Sequence, residues 1–82
     1  MTERAGLEHI AELVPPRSRV LDLGCGSGAL LAYLRDERGC SGFGVEIDDA
    51  LLAQAIRRDV NVLQLKLEEG LALFDDDSFD MV

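Results

Sequence analysis

The chain has 82 residues, 48% of them hydrophobic and 29% charged, which is the composition of one small folded domain and excludes disorder or collagen-like repetition. Sixteen Asp+Glu against eight Lys+Arg give a formal net charge of −8, so a polyanion such as DNA would be repelled over most of the surface. No apolar run approaches the ~20 residues of a membrane span, and the two cysteines, Cys25 and Cys40, are too few for a disulfide framework.

The N-terminal stretch MTERAGLEHIAEL is charged throughout and lacks the apolar core of a signal peptide, so a cytoplasmic protein is expected. Leu7, Ile10, Ala11 and Val14 recur at helical spacing, and Pro15-Pro16 ends that helix. Arg19 to Leu23 is a short apolar run that stops at glycines and predicts a buried strand. Leu30, Leu31 and Leu34 mark a helix beginning after Gly28 and stopping at Gly39. Phe43, Val45 and Ile47 alternate in a second strand, after which Asp48 or Asp49 can cap a helix. That helix presents Leu51, Leu52, Ala55 and Ile56 to a core, with Arg57 and Arg58 at its negative end. Val60, Val62, Leu63 and Leu65 predict a third strand, followed by a loop or single helical turn around Gly70. Asp75 to Ser78 reads as a turn, and Phe79 to Val82 as the start of another strand. The acids Glu68, Glu69, Asp75, Asp76, Asp77 and Asp80, opposed only by Lys66, read as a solvated face.

A helix followed by βαβαβ and the start of a further strand implies an α/β fold with a doubly wound, Rossmann-like parallel sheet. Because the last strand is cut off, residues 1–82 read as a single incomplete domain, the cofactor-binding front part of a larger one. Parallel sheets are normally covered on both faces, so self-association through an exposed sheet edge is a further expectation.

The chemistry gathers at Asp22-Leu23-Gly24-Cys25-Gly26-Ser27-Gly28, a glycine loop between a strand and a helix. Glycines there permit a tight turn and close approach of a ligand to the backbone. Glu46 ends the second strand, 18 residues after Gly28, where a carboxylate can take two ribose hydroxyls. A dinucleotide site can be read through Gly24, Gly26 and Ala29. Asp22 opposes it, because a carboxylate beside the loop repels a pyrophosphate and suits an ammonium group. A ribose, an adenine-like face and a cationic amino-acid end together describe S-adenosylmethionine.

Val20 to Gly28 resembles motif I of the class I S-adenosylmethionine-dependent methyltransferases, and Gly44-Val45-Glu46-Ile47-Asp48 resembles their ribose-binding motif. With the Pro15-Pro16 lead-in and the stretch from Leu67 to Asp80, the chain is most similar to the MetW family of methionine biosynthesis. The resemblance implies that Asp22 and the backbone of Gly24, Cys25 and Gly26 face the methionine part. It implies that Glu46 takes the ribose hydroxyls, that Ile47 packs on the adenine and that backbone near Leu67 meets the adenine edge. The family usually carries an Asp after the third strand; here Lys66 stands there, and an ammonium cannot accept from the adenine amino group. The resemblance further implies association with a homoserine acyltransferase, the chain acting as a methyltransferase or as a non-catalytic activator. No catalytic residue is legible: Ser27 has no paired base, Cys25 is a small packing residue, and His9 sits among Glu8 and Glu12 as a surface side chain.

Overall fold

The computed structural model describes residues 3–73 and 79–80. Its elements run α1 (Glu3–Ala11), β1 (Arg19–Leu23), α2 (Ala29–Arg38), β2 (Ser41–Val45), α3 (Asp49–Arg57), β3 (Asn61–Leu63) and α4 (Leu67–Leu73). The strands form one parallel sheet in the order β1-β2-β3, with Arg19 opposite Ser41, Leu23 opposite Val45, and Val45 opposite Leu63. The expected βαβαβ order is therefore present, with α2 and α3 serving as the crossovers between parallel neighbours.

Side chains alternate across the sheet. Gly42 and Gly44 face α2, and their lack of side chains lets Leu31 and Cys25 press against the strand. A Cβ at Gly42 would lie 2.7 Å from Leu31 Cδ2, and one at Gly44 would lie 2.6 Å from Cys25 Sγ. This face carries the main core of Ala11, Val14, Val20, Cys25, Leu31, Leu34 and Cys40, which joins α1 and α2 to the sheet. On the opposite face Val45 meets α4, where a Cβ at Gly70 would sit 3.1 Å from Val45 Cγ2.

The element ends differ from the sequence expectations for local reasons. Helix α1 stops at Ala11, and Leu13 and Val14 donate to Ile10 and Ala11 carbonyls three residues back, tightening the last turn ahead of Pro15. Ala11 and Val14 are buried as the spacing implied, whereas Ile10 is 47% exposed. Helix α2 ends as expected at Gly39, whose φ of 65° is the left-handed conformation of a helix stop. Asp48 is the residue that caps α3, its side chain accepting from the Leu51 N–H at 2.9 Å. That helix buries Ala55, with Leu51 and Leu52 half-buried and Ile56 turned to solvent.

Strand β3 covers only Asn61–Leu63, not the longer run to Leu65, because β2 has no residue left to pair with beyond Val45. Ile47 lies outside β2 because its N–H donates to the Glu46 carboxylate and not to β3. In place of a loop or single helical turn around Gly70 there are nearly two turns of helix, started where Glu69 accepts from the Lys66 N–H at 3.2 Å. The predicted strand at Phe79 is represented by Phe79–Asp80 alone, with residues 81–82 outside the described part. These two residues are not in a strand, yet Asp80 is clasped to the free edge of β1. Its N–H donates to the Arg19 carbonyl at 2.7 Å, and its carboxylate accepts from the Arg19 N–H at 2.8 Å and from the guanidinium at 3.3 and 3.1 Å. The predicted turn at Asp75–Ser78 also lies outside the described residues.

Candidate functional site

The carboxyl ends of parallel strands leave their last carbonyls and loops directed at one crevice, the usual ligand position in open α/β sheets. A cavity of about 200 Å³ lies there, lined by Leu23, Gly24, Val45, Glu46, Ile47, Leu65 and Leu67. Four of these, Gly24, Glu46, Ile47 and Leu67, belong to the set marked in the sequence. Leu23, Val45 and Leu65 were not in it, although the first two are the last residues of their strands and so point to the crevice rim.

The glycine loop is folded tightly by its own backbone. The N–H groups of Gly24 and Cys25 both donate to the Val45 carbonyl, at 2.7 and 3.0 Å, and Gly28 donates to the Cys25 carbonyl at 3.1 Å. Gly24 and Gly26 have φ of 77° and 59°, and a Cβ on either would meet nothing within 4 Å. They are required by backbone conformation, and the space beside them is open to a ligand. Gly28 is required by packing as well, since a Cβ there would lie 2.8 Å from Val60 Cγ2.

Glu46 is the keystone of the site. Its side chain reaches across to the loop, where Oε1 accepts from the Gly26 N–H at 2.8 Å. Its other oxygen, Oε2, accepts from the N–H groups of Ile47 and Asp48 at 3.0 and 2.9 Å. Curling back in this way takes those two N–H groups away from any strand ladder, which ends β2. The carboxylate is only 9% exposed, and three main-chain donors compensate its burial. Each oxygen still has acceptor capacity beyond these bonds, Oε1 the more.

Asp22, in β1, is half-buried beside Glu46 but, like Cys25 and Gly26, is not among the residues lining the cavity, and no hydrogen bond to its carboxylate is found among the described residues. Burial first, and the neighbouring Glu46 carboxylate second, raise its pKa above 3.8. Cys25 lies buried beneath the loop, where burial, Asp22 and Glu46 push its thiol up to about 11. Such a thiol is protonated at neutral pH and packs as a small apolar group.

Ile47 is 57% exposed although it is a large aliphatic side chain at the cavity wall. Lys66 is exposed, and it is the flanking Leu65 and Leu67 that line the cavity. The cavity is therefore an apolar slot with the Glu46 carboxylate in its wall and no cation among its lining residues, while the Asp22 carboxylate stands near Glu46 outside that lining.

Residues 4–82 match the family described as methionine biosynthesis protein MetW. The chain is 41% identical over 83 residues to the bifunctional methionine biosynthesis protein MetXA/MetW of Rhodopirellula baltica. That alignment covers 92% of this chain and 13% of the relative, so the chain spans only a small part of that protein's length. Among solved structures, an S-adenosylmethionine-dependent methyltransferase from Archaeoglobus fulgidus superimposes with a TM-score of 0.79 at 30% identity, covering 94% of this chain and 34% of that one. An RNA methyltransferase from Salinibacter ruber, crystallised with S-adenosyl-L-homocysteine, gives a TM-score of 0.73 at 28% identity over 84% of this chain and 52% of its own.

Proposed function

The chain belongs to the family of methionine biosynthesis protein MetW, and we propose that its crevice binds S-adenosylmethionine as the cofactor half of a methyltransferase-type domain. The observation that carries this reading is an apolar slot walled by Glu46, with the Asp22 carboxylate close enough to Glu46 to feel its charge. Asp22, with no hydrogen-bond partner among the described residues, offers its charge to the ligand's ammonium group. Glu46, already fixed by three N–H groups, offers its remaining lone pairs to the ribose hydroxyls, and Ile47 gives the adenine a flat apolar wall. Backbone near Leu67 borders the adenine end, where Lys66 supplies no acceptor. When bound, the cofactor supplies an activated methyl group on a sulfonium, a cation that two nearby carboxylates also favour.

The loop's hydrogen bonding speaks for this ligand over a nicotinamide dinucleotide. The N–H groups of Gly24, Cys25, Gly26 and Gly28 all have internal acceptors, so they do not form a cradle for a pyrophosphate. Isothermal titration of the full-length protein with S-adenosylmethionine and with NAD tests the assignment. Heat from S-adenosylmethionine and none from NAD is expected; the reverse result would overturn it.

The Rhodopirellula relative favours a second role beside the first, because there a MetW part shares one chain with MetXA. In that role the chain assists a homoserine acyltransferase of methionine biosynthesis. Co-purification of the two proteins supports it, and an acyltransferase rate unchanged by the added full-length protein refutes it.

A further inference from the structure

We propose that Gln64 is a positioning residue for the adenine side of this site, acting on the ligand through the segment Ile47–Asp49 without touching it. The inference rests on the cofactor reading above. Gln64 follows directly on β3, at the point where the strand has lost its neighbour. Its side-chain amide nitrogen donates to the Ile47 carbonyl at 3.1 Å and also to the Asp49 carboxylate. Both partners are acceptors only, so the amide must present its NH₂ to them, and the orientation of the group is fixed.

The segment held by that amide is the wall of the crevice. On its inner side Glu46 accepts from the Ile47 and Asp48 N–H groups; on its outer side Gln64 donates to the Ile47 carbonyl and to Asp49. The peptide units around Ile47 are thus gripped from both sides, and Asp48 and Asp49 go on to start α3. What the grip presents is the Ile47 side chain, exposed in the slot where an aromatic ring would lie. Loosening the outer grip leaves the core of the domain untouched, since Gln64 itself is exposed. It frees the wall to move away from the ring, and ordering it again then falls on the binding step.

The test uses adenosine as the probe, because it is uncharged and so insensitive to the protonation of Asp22. The full-length protein is titrated with adenosine as wild type, as Gln64→Ala and as Gln64→Glu, and each is also melted. Gln64→Ala is expected to bind about fivefold to tenfold more weakly, the scale of one to two net hydrogen bonds, with an unchanged melting temperature. Gln64→Glu puts a carboxylate against the Ile47 carbonyl and the Asp49 carboxylate, so at pH 7.5 its loss is expected to exceed that of Gln64→Ala. Toward pH 5 the introduced group regains a proton and can donate, and its affinity relative to wild type at the same pH should recover. The ionisable groups around it are Asp48 and Asp49 at the start of α3, Glu46 at the end of β2 and Lys66 two residues on, all shared with the wild type. A purely structural defect would lower the melting temperature and would show no such recovery. Wild-type adenosine binding with equal affinity in both variants overturns the role of Gln64 alone, whereas a wild type that binds no adenosine overturns the site itself.

Discussion

Asp22 and Glu46 are neighbouring carboxylates with opposite hydrogen-bond circumstances, and that difference predicts what each substitution does. Glu46 braces the Gly26, Ile47 and Asp48 N–H groups, so removing it damages the site's architecture along with its chemistry. Asp22 has no hydrogen-bond partner among the described residues, so its ionisation is a burden on the folded chain. Its pKa is raised above 3.8 by burial and by Glu46. As the pH climbs from the unfolded value to that raised value, the unfolded state loses its proton first, and stability falls across that window. Asp22→Asn abolishes the burden and should leave the ligand-free protein at least as stable at pH 7 as the wild type, by thermal melting. The same change should weaken S-adenosylmethionine by about 10- to 100-fold, the range of a lost charge-assisted hydrogen bond. Acidification should weaken the wild type in the same direction as Asp22 gains its proton. A variant that is destabilised yet binds normally would show that Asp22 serves the loop and not a ligand. At this scale the sequence was informative where a residue type and its spacing carry meaning, as for Asp22, the glycines and Glu46. It was silent on the Glu46 to Gly26 bond and on Gln64, because a side chain folding onto backbone 17 or 20 residues away leaves no periodic trace.

Strand β2 shows what an element needs beyond its own propensity. Two of its five residues are glycine, a residue that weakens strands, and it is nonetheless the central strand of the sheet. The glycines are there for α2, whose Leu31 and whose preceding Cys25 occupy the volume a side chain would fill. Gly44→Ala would place its Cβ 2.6 Å from Cys25 Sγ and 2.9 Å from Cys25 Cβ, with Leu31 Cδ1 at 3.0 Å. Cys25 is pinned by the loop, so the methyl group cannot be accommodated by a rotamer change alone. Overpacking of this kind destabilises by about 1–3 kcal/mol, and urea unfolding should show a lower midpoint with an unchanged slope. Gly44→Ala together with Cys25→Ala should recover part of that loss, whereas an unaltered midpoint in the single variant would mean the strand and α2 are not in tight contact. The elements themselves were legible from apolar runs punctuated by glycine and proline. Their ends were not, because Ile47 and Leu65 continue the apolar pattern while the pairing partner has already turned away. Ile56 was misjudged for a related reason: helical spacing names a face, and only packing decides how much of that face is covered.

For the molecule as a whole, two features of its surface pull in opposite directions. Ile47, Leu67 and Leu71 are each more than half exposed, and Leu63 is exposed as well. Along β1 the Arg19 N–H and carbonyl point away from β2 and are satisfied by Asp80. By the alternation of a parallel ladder the same groups of Leu21 and Leu23 point the same way, and no partner for them is found among the described residues. An apolar rim, and a strand edge left unpaired among the described residues, are the ordinary means by which copies of a chain adhere. Against this stands the formal net charge of −8, which makes every approach of two copies repulsive. The two forces separate by salt. The Debye length falls from about 10 Å at 0.1 M to about 3 Å at 1 M, while apolar burial persists or strengthens with excluded salts. Residues 1–82 produced alone should therefore sediment close to a monomer in dilute buffer and associate as sodium sulfate is raised. Saturating S-adenosylmethionine should oppose that association, since in the proposed site the ligand would cover Ile47 and the slot beside it. Ligand at 100 times its dissociation constant also adds about 2.7 kcal/mol to the folded state, enough to raise the melting temperature of a domain this size by roughly 10–20 °C. Association that weakens with salt would show that copies meet through their charges. A strictly monomeric species at every salt concentration, with a sharp melt unmoved by the ligand, would show that neither the rim nor the edge is available for contact.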